Sequence, residues 1–365
     1  MKILTVLGTR PEVIRLSLII KKLDELAEKH VLVHSGQNFT HSLNGVFFKE
    51  LGIRKPDYIL STKQQSLGEQ LSSLFTGLEN ILLKENPDKV LVLGDTNSGL
   101  SSILAERLMI PVVHMEAGNR CFDLNVPEEK NRKIIDAISS LNLVYTTYSK
   151  NNLLREGMNP SRISICGNPI YEVITHYEKQ ITKSRILENH NLHEKDYFLV
   201  TIHRAENVDN PEYLNSIFNA LNTLALTYKK RVIFSTHPRT RSKLISTNDI
   251  SLSPLIEFHE PFGFFDFVKL EKNAQCVLTD SGTVQEECCI FHVPTVTVRK
   301  TTERPETVDC GSNLISGLEK KNIINGVKVM ISKPSNWVCP TEYLDLNVSD
   351  KVINILLGGS KIVSE

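Results

Sequence analysis

Carboxylates and arginines follow closely on one another in the first half of the chain. The segment HMEAGNR (114–120) comes at the end of the apolar run Val112–Met115, and PEEKNR (127–132) follows within a dozen residues. Crowded carboxylates at neighbouring strand ends can have a raised pKa that suits a general base. The alternative interpretation is that these carboxylates and arginines only form salt bridges at the edge of the sheet. A further carboxylate, Asp95, follows Val90–Leu93 within GDTNS; alone it is equally well explained as a helix cap.

A second group of residues indicates phosphate chemistry. In GTRPE (8–12), Gly8 permits a tight turn and Pro11 suits a first helical turn, so Arg10 and Arg15 can face a diphosphate at a helix start. An ordinary turn with surface arginines would show the same residues. The sequence contains no GxGxxG fingerprint, which argues against a nicotinamide or flavin dinucleotide.

The second half of the chain repeats the strand-end pattern. His203 and His237 each follow an apolar run and precede an arginine, which suits phosphate binding or proton transfer, and no further ligands stand at metal-binding spacing. Ser281 and Gly282 begin a predicted helix that could bind phosphate, with Glu286 or Glu287 one turn later for a ribose diol; a plain capped helix is the alternative. Three cations, Arg299, Lys300 and Arg304, occupy one loop. Together these groups predict an anionic nucleotide ligand.

The elements that must position these groups alternate between short β-rich runs and longer helical patterns. Such alternation predicts parallel sheets with right-handed crossovers, hence an α/β fold. We expect two Rossmann-like domains, 1–167 and 168–347, separated at Gly167-Asn168-Pro169, with a terminal helix in 348–365 that packs back on the first domain. Two such domains would face each other across a cleft at their strand ends, where open α/β sheets bind ligands.

Composition narrows the function further. The 365 residues carry 42 basic and 42 acidic side chains, so no overall field draws the protein to nucleic acid. Seven cysteines without a CxxC pair favour reduced thiols and a cytoplasmic location. No stretch approaches the ~20 apolar residues of a membrane helix, so we expect a soluble protein without a membrane partner.

Taken in order, the motifs GTRPE, GDTNS, HMEAGNR, VPEEKNR, TIHRAEN, STHPR, TDSGTVQEE and TTERPE resemble those of the non-hydrolysing UDP-N-acetylglucosamine 2-epimerase family along nearly the whole chain. The segments GQN (36–38), NRCFD (119–123) and PFGFFD (261–266) are closer to the branch acting on 6-deoxy sugars, the UDP-N-acetyl-L-fucosamine synthases. The resemblance implies a glycosyltransferase B type fold, a homodimer, a UDP-amino sugar substrate and no cofactor. It also implies UDP elimination and re-addition through a glycal.

Residue roles implied by the resemblance fall into two groups. The acid–base carboxylates would be Asp95, Glu116 and Glu128, with base and acid unassigned, and Arg132 and His203 would complete the reaction centre. The nucleotide would be bound by Arg10, Ser281, Gly282, Glu287 and Arg304, with the backbone near Phe267 on the uracil.

Two positions depart from the family pattern. The lysine that follows GTRPE is Arg15 here, which keeps the charge but changes its geometry. Gln37 and Asn38 lie where mannosamine-forming members hold a second, regulatory substrate molecule, and Asn38 replaces the usual histidine. Three other functions remain open at this stage: a glycosyltransferase of the same fold, a hydrolysing epimerase that releases free N-acetylmannosamine, and a non-catalytic sugar-nucleotide sensor.

Overall fold

The computed structural model describes residues 1–36, 45–60, 66–244 and 252–358. They form two compact units: the first comprises Met1–Thr175 together with the chain from Thr341 onward, and the second comprises His176–Pro340. Each unit is built around one parallel sheet. The α/β fold class expected from the alternating pattern is confirmed.

Thirteen strands make up the two sheets. They are β1 Lys2–Leu7, β2 Lys29–His34, β3 Tyr58–Ile59, β4 Lys89–Leu93, β5 Val112–Met115, β6 Leu141–Val144, β7 Ile163–Ile165, β8 Tyr197–Thr201, β9 Arg231–Ser235, β10 Ile256–His259, β11 Cys276–Thr279, β12 Thr295–Thr297 and β13 Asn313–Ile315. The first sheet has the order β3-β2-β1-β4-β5-β6-β7 and the second β10-β9-β8-β11-β12-β13. All of the described pairings are parallel.

Seventeen α-helices connect and cover the strands in the described part of the chain. They are α1 Arg10–Leu26, α2 Val46–Glu50, α3 Leu67–Glu85, α4 Ser102–Arg107, α5 Pro127–Ile138, α6 Thr147–Arg155, α7 Ile170–His176, α8 Glu178–Lys183, α9 Ile186–Asn189, α10 Ala205–Val208, α11 Pro211–Tyr228, α12 Pro238–Leu244, α13 Phe264–Asn273, α14 Gly282–Phe291, α15 Pro305–Asp309, α16 Lys320–Ile331 and α17 Val348–Leu357. Short 3-10 turns lie at Asn97–Ser101, Pro160–Arg162 and Thr341–Tyr343.

The strands are apolar because both faces of each sheet are covered. All five residues of β4 and all five of β8 are buried, as expected for the middle of a parallel sheet. In the first unit Leu4, Val33 and Val92 belong to the core. In the second unit Phe198 and Phe234 belong to the corresponding core.

Two local structures differ from the sequence-based prediction. The sequence pattern predicts a single helix over Ser98–Met109, but this segment begins with a 3-10 turn and α4 starts only at Ser102. A Cβ on Gly99 would lie 2.6 Å from Cδ1 of Ile135, so this turn packs closely against α5. The sequence also predicts a strand over Asn142–Thr147, but β6 ends at Val144, because the hydroxyl of Thr146 accepts from Ser149 N and caps α6.

Helix α17 belongs to the first unit. Lys89 Nζ donates to the carbonyls of Ile355, Leu356 and Gly358 at 3.0, 2.8 and 3.2 Å. A cation at the C-terminal end of a helix satisfies carbonyls that have no partner within the helix. The lysine is thus the link between α17 and the strand that leads to Asp95. Among the helices described, none has both the length and the apolar character needed to cross a bilayer.

Candidate functional site

The candidate residues of the first unit all leave the carboxyl edge of its sheet. Arg10 and Arg15 lie in α1 directly after β1, Asp95 follows β4, and Glu116 follows β5. Because β1, β4 and β5 are adjacent in the sheet, these strand ends are neighbours. The expected clustering is therefore present for these four residues.

Asp95 forms an ion pair with Arg132. The Nη2 and Nε atoms of Arg132 lie 2.6 and 2.8 Å from Oδ2 of Asp95, and Asn131 donates to the Asp95 carbonyl at 2.9 Å. The Asp95 side chain is 22% exposed, whereas Arg132 is 3% exposed. A buried guanidinium therefore holds a carboxylate that solvent can still reach.

Glu116 forms an ion pair with Arg15 through Nη1 and Oε2, and Asn119 Nδ2 lies 3.4 Å from its other oxygen. Arg15 is 1% exposed, so it is not a surface arginine but the buried partner of Glu116. Glu116 adopts a φ of +67°, a left-handed conformation that costs a non-glycine residue about 1–2 kcal/mol. Such strain is typical of residues whose position is set by function.

Two adjacent glutamates in the first turn of α5 have different surroundings. Glu128 is half-buried. Glu129 is fully buried: it accepts from the backbone N–H of Cys121 at 3.0 Å and of Phe122 at 3.2 Å, and its Oε2 lies 2.8 Å from Arg132 Nη1. Glu129 therefore fixes both Arg132 and the loop before α5, a role that sequence reasoning did not assign.

A buried carboxylate lies at the start of α1. Glu12 accepts from the N–H groups of Gly8 (2.5 Å) and Thr9 (3.1 Å) and from the hydroxyl of Thr96 (2.6 Å). Burial raises the pKa of Glu12 to about 7, against the lowering effect of these hydrogen bonds. Glu12 thereby connects the loop before Arg10 to the loop that carries Asp95.

The guanidinium of Arg10 lies 5.3 Å from the ring centroid of Phe47, a cation–π contact. The candidate regulatory residues Gln37 and Asn38 lie outside the described residues.

In the second unit, a buried aspartate organises the strand ends. Asp280, which follows β11, accepts from the backbone N–H groups of His203 (3.1 and 3.0 Å) and Arg204 (2.9 Å) and from Asn207 Nδ2 (3.0 Å). Nδ1 of His203 is 3.3 Å from the same carboxylate, and the rings of His203 and His237 are 5.6 Å apart. Asp280 was within a recognised motif but received no role there; its position directly before Ser-Gly at a strand end was the available signal.

Helix α14 begins at the predicted phosphate-binding turn. Ser281 is its N-cap, with extended backbone and no side-chain cap hydrogen bond to the helix. A Cβ on Gly282 would lie 2.7 Å from Oε1 of Glu303, so any larger residue at this turn would displace the Glu303 side chain. The backbone N–H groups at a helix start favour phosphate.

The carboxylates and arginines near α14 are paired. Arg304 Nε lies 2.5 Å from Glu286 Oε1, and Glu303 pairs with Arg299 at 2.8 Å and with Arg204 at 3.2 Å. Of the two glutamates considered for ribose binding, Glu286 thus forms an ion pair with Arg304. Glu287, the neighbouring residue of the helix, is 4% exposed.

Phe267 is buried in α13, and its backbone N–H donates to the Gly263 carbonyl at 2.9 Å. No group of three or more His, Cys, Asp or Glu side chains in the described part of the chain is arranged to hold a metal ion.

A family profile and two sequence relatives all match this chain to UDP-sugar 2-epimerases. A sequence profile described as UDP-N-acetylglucosamine 2-epimerase matches residues 21–357. The UDP-N-acetylglucosamine 2-epimerase of Methanocaldococcus jannaschii is 41% identical over 98% of this chain and 100% of its own length. The UDP-2,3-diacetamido-2,3-dideoxy-D-glucuronate 2-epimerase of Pseudomonas aeruginosa is 34% identical over 91% of this chain and 93% of its own length.

Solved structures agree with the sequence relatives. The M. jannaschii UDP-GlcNAc 2-epimerase in complex with UDP-GlcNAc and UDP superposes with a TM-score of 0.93, at 41% identity, and covers 98% of this chain and 100% of that one. The glycosyltransferase WaaG, at 11% identity and a TM-score of 0.61, shares the fold.

Proposed function

Because this chain belongs to the UDP-N-acetylglucosamine 2-epimerase family and is an isomerase of that type, we propose that it inverts carbon 2 of a UDP-2-acetamido sugar by elimination and re-addition of UDP. A general base takes the proton from carbon 2 while the bond from carbon 1 to the UDP oxygen breaks, leaving a glycal and UDP. UDP then adds back to carbon 1 as a proton is delivered to the opposite face of carbon 2. Every atom except the exchanged proton is retained, and no net oxidation occurs.

One observation carries this proposal: two carboxylates, Asp95 and Glu116, stand at neighbouring strand ends, each paired with a buried arginine. Inversion at carbon 2 needs one group to remove a proton and another to return it on the other face, so two positioned carboxylates suit the reaction. Arg132 and Arg15 hold them in place and add positive charge. Glu128, half-buried in α5, is the third carboxylate of the proposed acid–base group.

The second unit supplies the proposed nucleotide-binding groups. The α14 start at Ser281 and Gly282 would bind the diphosphate, with Arg10 of the first unit and Arg304 as further cations. Glu287 would bind the ribose, and backbone near Phe267 the uracil. His203, held through its backbone by Asp280, and His237 beside it would assist at the departing UDP.

The substrate is a UDP-2-acetamido sugar, either the UDP-N-acetylglucosamine and mannosamine pair or the 6-deoxy-L-talosamine and L-fucosamine pair. Two relatives bear on this choice: one is named for UDP-N-acetylglucosamine and one for a 2,3-diacetamido glucuronate. We further propose a cytoplasmic homodimer that provides precursors for capsule or lipopolysaccharide, with the 37–38 segment as a second, regulatory substrate site.

The test is proton NMR in deuterated water with both UDP-sugar series. The true substrate acquires deuterium at carbon 2 and converts to its epimer, while UDP remains substoichiometric at equilibrium. Stoichiometric UDP with free sugar would instead identify a hydrolysing epimerase, and UDP release only with an added acceptor would identify a glycosyltransferase. Absence of deuterium at carbon 2 in every sugar tested would refute the proposed function.

A further inference from the structure

One face of helix α5 contacts every loop that carries a proposed acid–base group. Glu129, Arg132 and Asp136 stand at positions i, i+3 and i+7, which share a face of an α-helix. Glu129 binds the backbone before α5, and Arg132 binds the Asp95 carboxylate. The third residue, Asp136, is 1% exposed and reaches the loop that follows Glu116.

The Asp136 carboxylate contacts three neighbouring groups. Both of its oxygens accept from the backbone N–H of Gly118, at 3.3 and 3.2 Å. Arg120 Nη1 lies 2.7 Å from Oδ2, and His114 Nδ1 lies 2.9 Å from Oδ1. The carboxylate accepts from the Gly118 N–H and pairs with the Arg120 guanidinium, and it thereby holds the turn that follows Glu116.

His114 continues the chain of contacts towards Asp95. It lies fully buried in β5, two residues before Glu116, and its Nε2 is 2.9 Å from the carbonyl oxygen of Gly94, the residue that precedes Asp95. A carbonyl oxygen only accepts, so Nε2 carries a proton and donates it. The imidazole therefore lies between the end of β4 and α5: it is hydrogen-bonded to the Gly94 carbonyl, and Asp136 lies beside its other nitrogen.

The loops that carry Asp95 and Glu116 both turn through residues of positive φ. Gly94 and Gly118 have φ values of +75° and +76°, which glycine adopts without strain, and Glu116 has a φ of +67°. The left-handed Glu116 persists only where the surrounding structure holds it. The Gly94 carbonyl belongs to the peptide that leads directly into Asp95, so its orientation determines where the Asp95 side chain starts.

We propose that His114 is a positioning residue for the epimerisation: its Nε2–H fixes the Gly94 carbonyl and thereby the placement of Asp95 relative to Glu116, while Asp136 packs beside the imidazole. This inference rests on the proposed function. His114 is fully buried, and its ring nitrogens face the Gly94 carbonyl and Asp136. Displacing a reacting group by ~1 Å can cost about a hundredfold in rate.

Two substitutions separate this role from a general structural one. In His114→Gln the side-chain amide reaches the position of Nε2 and can still donate to Gly94. In His114→Asn it reaches only the position of Nδ1, so it keeps the contact with Asp136 and loses Gly94. We expect the kcat of His114→Gln to stay within about threefold of the wild type and the kcat of His114→Asn to fall by about 10- to 100-fold. KM should change less than about threefold in both variants.

Glu156→Gln provides the matched control. Glu156 pairs with the same Arg120 through Nη2, at 2.6 Å, whereas Asp136 pairs with Nη1, so we expect its loss to perturb the network without moving Gly94. We expect unchanged kcat for this variant. The inference is wrong if His114→Asn has the same kcat as His114→Gln. It is also wrong if Glu156→Gln loses as much kcat as His114→Asn.

A spectroscopic measurement keeps the inference testable if the variants do not fold. Long-range proton–nitrogen NMR of wild-type protein labelled with 15N-histidine reports which ring nitrogen is protonated. We expect a protonated Nε2 on His114 that exchanges slowly with water; an unprotonated Nε2 would overturn the inference. If the wild-type protein exchanges the carbon-2 proton of no sugar tested, the proposed function is refuted and the inference with it. If the wild type is active but His114→Gln and His114→Asn have equal kcat values, only the inference is refuted.

Discussion

Replacing Glu12 by glutamine should change how stability depends on pH. The carboxyl group is 1% exposed and lies against the N–H groups of Gly8 and Thr9 and the hydroxyl of Thr96. Glutamine has the same shape and can keep the two backbone contacts through its oxygen, while the threonine hydroxyl can rotate to accept. The Glu12→Gln variant therefore removes the titration while it keeps the packing.

The magnitude follows from the pKa of Glu12. Burial raises this pKa from the ordinary 4.5 to about 7, so the folded state keeps its proton at pH values where the unfolded state has lost it. The contribution of Glu12 to the free energy of unfolding is fully present below pH 4.5 and is lost as the pH rises through 7. The full difference corresponds to roughly 3.4 kcal/mol, of which about 2.5 kcal/mol falls between pH 5 and pH 8.

Urea unfolding of the wild type and of Glu12→Gln across this range, followed by circular dichroism, measures the effect. The wild type should lose about 2–3 kcal/mol relative to the variant as pH rises from 5 to 8, since other titrating groups cancel in the difference. Glu25→Gln removes an exposed carboxylate from the same helix and controls for the loss of a charge from α1. Wild-type and Glu12→Gln stabilities that run parallel from pH 5 to pH 8 would show that Glu12 is not the buried, proton-retaining group described here.

Three further substitutions test other parts of the structure. Lys89→Met removes the donor shared by three carbonyls of α17 and should lower the free energy of unfolding by about 2–4 kcal/mol in urea titrations. Gly282→Ala places a Cβ 2.7 Å from a Glu303 oxygen and should weaken UDP binding roughly tenfold or more by calorimetry. Asp95→Asn should lower kcat by about 10²- to 10⁴-fold in the NMR epimerisation assay, with UDP affinity nearly unchanged.

Each of these has a contradicting result. Undiminished stability of Lys89→Met would mean that its contacts with α17 contribute little. Gly68→Ala, where the nearest atom to the added Cβ is 3.9 Å away, is the control for Gly282→Ala, and equal UDP affinities would remove α14 from the binding site. Full activity of Asp95→Asn would exclude that carboxylate from acid–base chemistry.

Elements with strong periodicity were predictable from sequence, some of them to the residue. Clear apolar runs or long amphipathic patterns predict a strand at Val112–Met115 and helices at Leu67–Glu85, Pro211–Tyr228 and Val348–Leu357, and β5, α3, α11 and α17 have these bounds. Helix α16 was not predicted, although its buried Ile323, Val327 and Met330 follow helical spacing. The strands β3 and β13, of two and three residues, are too short for a periodic signal and form because a neighbouring strand presents a free edge.

The strand-end rule predicted where the candidate residues lie, because the carboxyl ends of parallel strands meet at one edge whatever the side chains are. It could not predict their partners. Arg15, which is predicted to face a diphosphate, also pairs with Glu116, 101 residues away in sequence. The roles of Glu129, Asp280 and His114 likewise depend on tertiary contacts that have no local pattern in the sequence.

The most direct test of the proposed chemistry follows the bond between carbon 1 and its oxygen. A UDP sugar labelled with 18O at that bridging position is incubated with the enzyme, and the label is located by 31P NMR of the β-phosphate. Elimination frees UDP, whose phosphate oxygens become equivalent by rotation, so 18O should move into nonbridging positions while carbon 2 gains deuterium. Inversion and deuterium uptake at carbon 2 with all 18O still bridging would contradict elimination and re-addition.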